Sequence, residues 1–136
     1  MGFAEHVIVS SDRQYYYLFG SIWTTSASID WIKNIVAGKE SFSEIINKVK
    51  AIPSGANGVN FFPHLRFGSP PNPVQNSRGA FTGLSTDTDS STLLRAVLEG
   101  VSLDTKHVFE TMIKQLNTSY EEILTTGGAT QNKLLL

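Results

Sequence analysis

The chain has 136 residues, of which 40% are hydrophobic and 10% aromatic, and its 11 basic and 12 acidic side chains give a formal charge of −1. A chain of this length suits one globular domain, and the absence of a basic block argues against nucleic acid or an anionic membrane as a partner. No cysteine is present, which excludes disulfides and thiolate chemistry and suits the cytoplasm, and no run reaches the roughly 18 apolar residues of a membrane span.

Two β-rich runs open the chain. Residues 6–10 and 15–21 are rich in β-branched and aromatic side chains, and the Ser-Asp-Arg-Gln gap between them suits a turn. The sequence therefore predicts a β-hairpin. Within it, residues 15–17 are three tyrosines, and a strand with an aromatic ring on each face is favoured over an aromatic binding patch.

A first helix is predicted over residues 24–37. Its apolar side chains recur at spacings of three and four, which places them on one face: they are Ile29, Ile32, Ile35 and Val36. Gly38 follows where a left-handed residue commonly ends a helix. Ser26 and Asp30 are four residues apart, so they share a face near the helix N-terminus, where the helix dipole favours an acidic side chain.

A second helix is predicted over residues 41–51. Ser41 followed three residues later by Glu44 has the pattern of a capping box, in which each side chain bonds the other residue's backbone N–H. Pro53 and Gly55 follow and end the helix.

A long loop rich in proline and glycine, with a short strand at residues 59–62, separates this helix from the rest of the chain. A loop of this length in a compact domain is usually functional or covers a core. Its polar candidates are His64, Arg66 and Arg78, and bonding to loop carbonyls is favoured over contact with a substrate. His64 has no second ligand close in sequence, so no metal site is predicted.

Another short strand at residues 80–84 precedes the longest predicted helix, residues 92–117. Its apolar face is broad, so this helix should be central to the core. Gly100 costs about 1 kcal/mol relative to alanine inside a helix, and this predicts a tight contact there. Arg95 and Glu99, four residues apart, are predicted to pair on the helix surface with a structural role.

The chain ends in a strand–glycine–helix pattern. Residues 123–126 have the composition of a buried strand, Gly127 and Gly128 follow, and a helix is predicted to begin near Thr130. Such a turn presents backbone N–H groups at a positive helix end, where phosphates bind. Plain turn chemistry is the other interpretation, and the pattern alone leaves both open.

Two blocks in the second half of the chain are specific enough to suggest a family. The first is Asn-Ser-Arg-Gly-Ala-Phe-Thr-Gly-Leu at residues 76–84, and the second is Leu-Leu-Arg-Ala-Val-Leu-Glu-Gly at residues 93–100. Together with Thr-Gly-Gly-Ala at residues 126–129, they resemble the C-terminal lobe of the FGGY carbohydrate kinases. The resemblance covers nearly the whole chain.

The resemblance implies an α/β fold (α+β in some schemes) of the ribonuclease-H-like type found in actin, sugar kinases and Hsp70 chaperones, with a mixed sheet packed by helices. It implies that residues 1–136 are the adenosine-side lobe and that the lobe binding sugar and phosphate is absent. Residues 133–136 make barely one helical turn, so we expect the chain to be cut within that helix.

The resemblance also assigns site residues. It implies that Gly127 and Gly128 contact the nucleotide phosphates and that Asn132 lies by the adenine. It places Ser26 and Asp30 on the nucleotide side of the first helix, at positions where the family often has glycine and glutamine. No catalytic residue is assigned, because the family's catalytic aspartate and phosphate loop lie upstream of this segment.

The implied activity is phosphoryl transfer from ATP, with Mg²⁺ held mainly by the missing part, to a sugar or polyol hydroxyl. We expect the chain alone to be inactive and to expose an apolar patch that favours dimers. The alternative is a non-catalytic binding or assembly module of the same fold that has lost ATP. Departures from the family pattern at Ser69, Thr88 and Thr92 indicate an outlying subfamily.

Overall fold

The computed structural model describes residues 3–22, 25–36, 40–71 and 73–127. Its elements, in chain order, are β1 (Ala4–Val9), β2 (Gln14–Phe19), α1 (Thr25–Val36), α2 (Phe42–Lys50), a 3-10 turn (Ala56–Gly58), β3 (Asn60–Phe62), β4 (Ala80–Thr82) and α3 (Ser90–Leu116). The predicted α/β class is confirmed. No helix within the described ranges is long and apolar enough to cross a membrane.

The predicted hairpin is confirmed. Strands β1 and β2 run antiparallel, in a register that extends from the Ala4–Phe19 pair to the Val9–Gln14 pair. The turn is closed by Ser10, whose N–H donates to the Arg13 carbonyl oxygen at 2.9 Å. At the other end, a Cβ on Gly20 would lie 2.9 Å from Sδ of Met112, so the hairpin meets the end of α3 there.

Helix α2 begins with the predicted capping box. The Ser41 N–H donates to Oε2 of Glu44 at 2.8 Å, and the Glu44 N–H donates to Oγ of Ser41 at 3.4 Å. The hydrogen bond from the Ser41 hydroxyl, together with the backbone bond, lowers the pKa of the Glu44 carboxyl. These bonds give the backbone N–H groups of Ser41 and Glu44 acceptors that the helix itself does not provide.

Helix α3 is the centre of the molecule. Asp89 caps its start by accepting the Thr92 N–H at 2.7 Å, and this backbone bond lowers the pKa of the Asp89 carboxyl. Helices α1 and α2, the 3-10 turn and β3 all pack on α3. The resulting core consists of Ile32, Ile45, Val49, Ala56, Val59, Phe61, Leu94, Ala96, Val97, Leu98 and Val101.

Gly100 lies where α3 crosses β3. A Cβ at this position would be 2.3 Å from the carbonyl oxygen of Phe61, which is far inside van der Waals contact. The predicted close contact is confirmed, and the missing side chain is what allows helix and strand to touch.

The sheets are smaller than the sequence suggests. The described strands form two separate antiparallel ladders, β1–β2 and β3–β4, in place of the single mixed sheet expected. Strands β3 and β4 are only three residues long, and the described residues between them contain no further strand.

Residues 123–126, predicted as a buried strand, are not a strand. The backbone there is irregular, and the side chains of Ile123 and Leu124 are 53% and 81% exposed. Composition favours an extended chain, but a strand also needs a partner, and no described strand runs beside this segment. The helix predicted after it lies outside the described residues.

Candidate functional site

Helix α1 presents two of the predicted site residues to solvent. Ser26 and Asp30 are both exposed and lie one turn apart on the helix. The opposite side of the helix is fixed, because Ser28 and Ile32 are buried and α1 packs on α3. The Trp31 ring also stacks on Phe61, with a centroid distance of 6.2 Å. A rigid helix therefore holds a hydroxyl and a carboxylate towards solvent.

Gly127 is presented by a different segment, which follows α3. Its φ of +95° is in the region that favours glycine, and a Cβ built on it would meet no atom within 4 Å among the described residues beyond its chain neighbours. An exposed backbone with open space beside it can be approached closely by a ligand. Gly128 and Asn132, the two other residues assigned to this turn, lie outside the described residues.

The loop side chains have mixed environments. Nη1 of Arg78 donates to the Ser77 carbonyl oxygen at 2.8 Å, which confirms the predicted hydrogen bond to a loop carbonyl. Arg66 is exposed. Nδ1 of His64 is buried and has no hydrogen-bond partner among the described residues. No sequence pattern predicts that this nitrogen is buried.

The Arg95–Glu99 pair does more than pair on the helix surface. Nε of Arg95 lies 2.6 Å from Oε1 of Glu99, and the two side chains are only 13% and 24% exposed. The Glu99 carboxylate also accepts the Gly55 N–H at 3.0 Å, and Nη2 of Arg95 donates to Oγ of Ser54 at 3.1 Å. The pair therefore ties the turn after α2 to α3. Its partners are more than 40 residues away, so a local sequence pattern could not show them.

A cleft of about 270 Å³ lies between the β3 segment and α3. Phe62 and Leu103 are exposed apolar parts of its wall, and its carboxylates come from Glu99 and Asp104. Both carboxylates have hydrogen-bond donors within the chain. Glu99 accepts the Gly55 N–H, and Asp104 accepts the Ser69 hydroxyl at 2.5 Å. Within the described part of the chain, no group of three or more His, Cys, Asp or Glu side chains is placed to hold a metal ion.

Comparison with known proteins decides the family. The model of the C-terminal domain of the FGGY family of carbohydrate kinases matches residues 2–136. The chain belongs to this family. Among curated relatives, it is 28% identical over 127 residues to the xylulose kinase of Bacillus subtilis, an alignment that covers 93% of this chain and 25% of that protein. It is 31% identical over 133 residues to the glycerol kinase of Rippkaea orientalis, covering 93% and 25%.

Solved structures of xylulose and glycerol kinases share the fold. The glycerol kinase of Plasmodium falciparum, crystallised with ADP, matches with a TM-score of 0.77 at 24% identity, over 92% of this chain and 24% of that one. The xylulose kinase of Rhodospirillum rubrum matches with a TM-score of 0.75 at 21% identity, over 90% and 24%. The chain therefore has the ribonuclease-H-like fold of these kinases, and it spans about a quarter of the length of the relatives it matches.

Proposed function

We propose that the chain is the nucleotide-binding lobe of an ATP-dependent sugar or polyol kinase. The observation that carries the proposal is the family match over residues 2–136, to a domain that the family places at its C-terminus. The curated relatives include xylulose kinases and glycerol kinases, and a glycerol kinase among the structural neighbours was solved with ADP. The substrate class that follows is a small polyhydroxy compound whose hydroxyl accepts the phosphoryl group.

The nucleotide site would be formed by Gly127 and Gly128, Asn132, and the Ser26–Asp30 face of α1. Gly127 fits this role because the residue is exposed and has a positive φ, and because no described residue beyond its chain neighbours lies within 4 Å of a Cβ built there. Ser26 can donate or accept a hydrogen bond, whereas an ionised Asp30 can only accept and so suits a ribose hydroxyl or an amino group better than a phosphate.

ATP supplies the transferred phosphoryl group, and Mg²⁺ offsets the charge of its phosphates. We propose that the ion is held by the phosphates of the nucleotide and mainly by the part of the kinase outside this chain. The sugar lobe and the catalytic base would also lie outside the chain, in a longer cytoplasmic polypeptide. Closure of the two lobes around both substrates would exclude water from the transferred group.

The binding test compares two glycines. Calorimetric titration with MgADP is carried out on the longest natural polypeptide that contains this chain, as wild type, Gly127→Ala and Gly58→Ala. Gly58 is the matched control, because its φ is +88° and a Cβ there also meets nothing within 4 Å. We expect Gly127→Ala to weaken ADP binding at least tenfold and Gly58→Ala to change it less than twofold. Equal losses in the two variants would contradict the assigned site.

The activity test measures ADP release with xylulose, glycerol or gluconate as acceptor. We expect the long polypeptide to turn over with one of these compounds and the 136-residue chain to show no acceptor-dependent release. Turnover by the chain alone would contradict the proposed division of the site between two lobes.

A second candidate is a non-catalytic binding or assembly module that has lost ATP. The exposed Asp30 carboxylate favours it, because a negative charge beside a triphosphate opposes binding. For a kinase we expect Asp30→Asn to raise ATP affinity by roughly three- to tenfold at low salt, equivalent to about 0.6–1.4 kcal/mol. Asp87→Asn, in the loop before α3, is the control. A long polypeptide that binds no ATP at about 1 mM, with or without Asp30→Asn, would support the module.

A further inference from the structure

The cleft between the β3 segment and α3 has the size of a small-molecule site. Its volume of about 270 Å³ is close to the lower end of the range of ligand pockets, roughly 300–1,000 Å³. Its lining includes Ala96 and Gly100, so part of the wall is backbone and a single methyl group. Ser26, Asp30 and Gly127, the described residues assigned to the nucleotide, do not line it. A ligand of this cleft would therefore be a different molecule from the nucleotide.

Two exposed apolar side chains form part of the cleft wall. Phe62 is 48% exposed and Leu103 is 64% exposed. A ligand with C–H groups on one side would cover both residues, and removing apolar area from water favours binding. The face of an aromatic ring is partly negative and attracts the slightly positive C–H groups of a sugar or polyol.

The polar part of the lining offers mainly hydrogen-bond acceptors. A carboxylate has about four acceptor positions, and at Asp104 the Ser69 hydroxyl uses one of them. The side-chain nitrogen of Asn60 donates to the Gly58 carbonyl oxygen at 3.2 Å, a bond that leaves the amide oxygen of Asn60 as an acceptor. His107, exposed on α3, can donate or accept. Hydroxyl groups, which both donate and accept, match this combination.

The charges of the lining disfavour an anionic ligand. The Glu99 carboxylate is paired with Arg95, whose Nε lies 2.6 Å from it, whereas the Asp104 carboxylate is bonded to the neutral hydroxyl of Ser69. A phosphate group would place further negative charge beside Asp104, and like charges repel. A simple cation would suit Asp104 but would leave the apolar wall uncovered. A neutral compound with several hydroxyl groups uses both walls.

His64 adds a second indication of a ligand. It lines the same cleft, and its Nδ1 is buried without a hydrogen-bond partner among the described residues. Buried polar atoms in folded proteins nearly always have a partner, so an unsatisfied one beside a cleft points to a bound water or ligand.

We propose that this cleft binds a small neutral polyhydroxy compound, a monosaccharide or polyol without a phosphate group. The site would lie within this chain and would be additional to the acceptor site of the missing lobe. The inference goes beyond the proposed function, because it assigns a second ligand to residues that take no part in holding the nucleotide.

The test follows binding to the 136-residue chain by NMR. Amide correlation spectra are recorded during titration with xylulose, with glycerol and with the phosphate esters of these two compounds. We expect at least one of the two neutral compounds to shift the amides of residues 59–64 and 99–107, with a dissociation constant of about 1 mM. The phosphate esters should bind at least fivefold more weakly, because of their charge.

Substitutions locate the binding site. Phe62→Ala and Leu103→Ala should each weaken binding at least threefold, and circular dichroism should show an unchanged fold, since both side chains are exposed. Phe67→Ala is the matched control, because Phe67 is 41% exposed and does not line the cleft, and it should change binding less than twofold. Asp104→Asn keeps an acceptor for the Ser69 hydroxyl but removes the charge, so it should narrow the difference between the neutral compound and its ester.

A second measurement counts the sites. In the longest natural polypeptide that contains this chain, equilibrium dialysis should detect two sites for the neutral compound, and Phe62→Ala should remove one of them.

Three results would each overturn the inference. They are an absence of shifts at the cleft with both neutral compounds, equal affinity for a neutral compound and its ester, and equal effects of Phe62→Ala and Phe67→Ala. None of these experiments contains nucleotide, so their failure would leave the proposed function to the MgADP titration, and failure of that titration would leave the cleft site standing.

Discussion

At the scale of single residues, some buried polar atoms have no hydrogen-bond partner among the described residues. Oγ of Ser28 is buried, with the residue 0% exposed, and it has no hydrogen-bond partner among the described residues. Burying a hydroxyl without a partner costs free energy, because its bonds to water are lost and not replaced. Alanine at this position would remove the hydroxyl without adding volume.

We therefore expect Ser28→Ala to raise the free energy of unfolding by about 1 kcal/mol. Urea denaturation measures the change. The control is Ser102→Ala, which removes a hydroxyl that donates to the Leu98 carbonyl oxygen at 2.9 Å and should leave stability equal or lower. A loss of stability in Ser28→Ala would show that the hydroxyl has a partner after all.

At the scale of elements, the contact between α3 and β3 depends on a glycine, because any side chain at that position would separate the helix from the strand. Helix α3 touches β3 at Gly100, and the atom that an added Cβ would strike is a backbone oxygen, which cannot rotate away. The aromatic rings of Phe61 and Phe81, with centroids 4.8 Å apart, continue the packing from this crossing into the β3–β4 ladder.

Gly100→Ala should therefore lower the free energy of unfolding by about 1–3 kcal/mol, despite the higher helix propensity of alanine. Chemical denaturation followed by circular dichroism would measure it. Leu103→Ala, less than one turn further along α3 and 64% exposed, serves as the control and should change stability by no more than about 0.5 kcal/mol. A stabilised Gly100→Ala variant would mean that helix and strand can separate without loss.

The sequence predicted helices, strands and caps better than it predicted the contacts between segments that are distant in the chain. The capping box of Ser41 and Glu44 and the close contact at Gly100 followed from local patterns, because caps and helix interiors are decided by residues a few positions apart. Residues 123–126 were predicted wrongly, and the Arg95–Glu99 link to Gly55 was missed, because both depend on segments distant in sequence. Of the candidate site, Ser26, Asp30 and Gly127 are exposed as a binding role requires, and that role stays a prediction.

On the scale of the whole molecule, two helix caps link stability to pH. The pKa of Glu44 is lowered by its hydrogen bonds with Ser41, and the pKa of Asp89 by the Thr92 N–H. A carboxyl whose pKa is lower in the folded state contributes stability above its unfolded pKa, and the contribution is lost as the pH falls through the folded value.

We expect the urea midpoint of the wild-type chain to be constant near neutral pH and to fall as the pH drops below about 4.5. The double variant Glu44→Gln, Asp89→Asn should be less stable at pH 7 and should show a shallower fall, since neither amide titrates. Asp87→Asn, which removes an exposed carboxylate that caps no helix, is the control. Identical pH profiles for wild type and double variant would refute the assignment to the caps.

The position of Trp31 makes its intrinsic fluorescence a probe of the outer side of α1. The indole is adjacent in sequence to Asp30 and stacked on Phe61, yet 38% of its surface remains in water. Its emission should therefore respond to a solute arriving at the outer side of α1, and also to any loosening of the aromatic stack beneath. Titration by fluorescence, with Trp31→Phe to identify the emitting ring, would follow occupancy without a label.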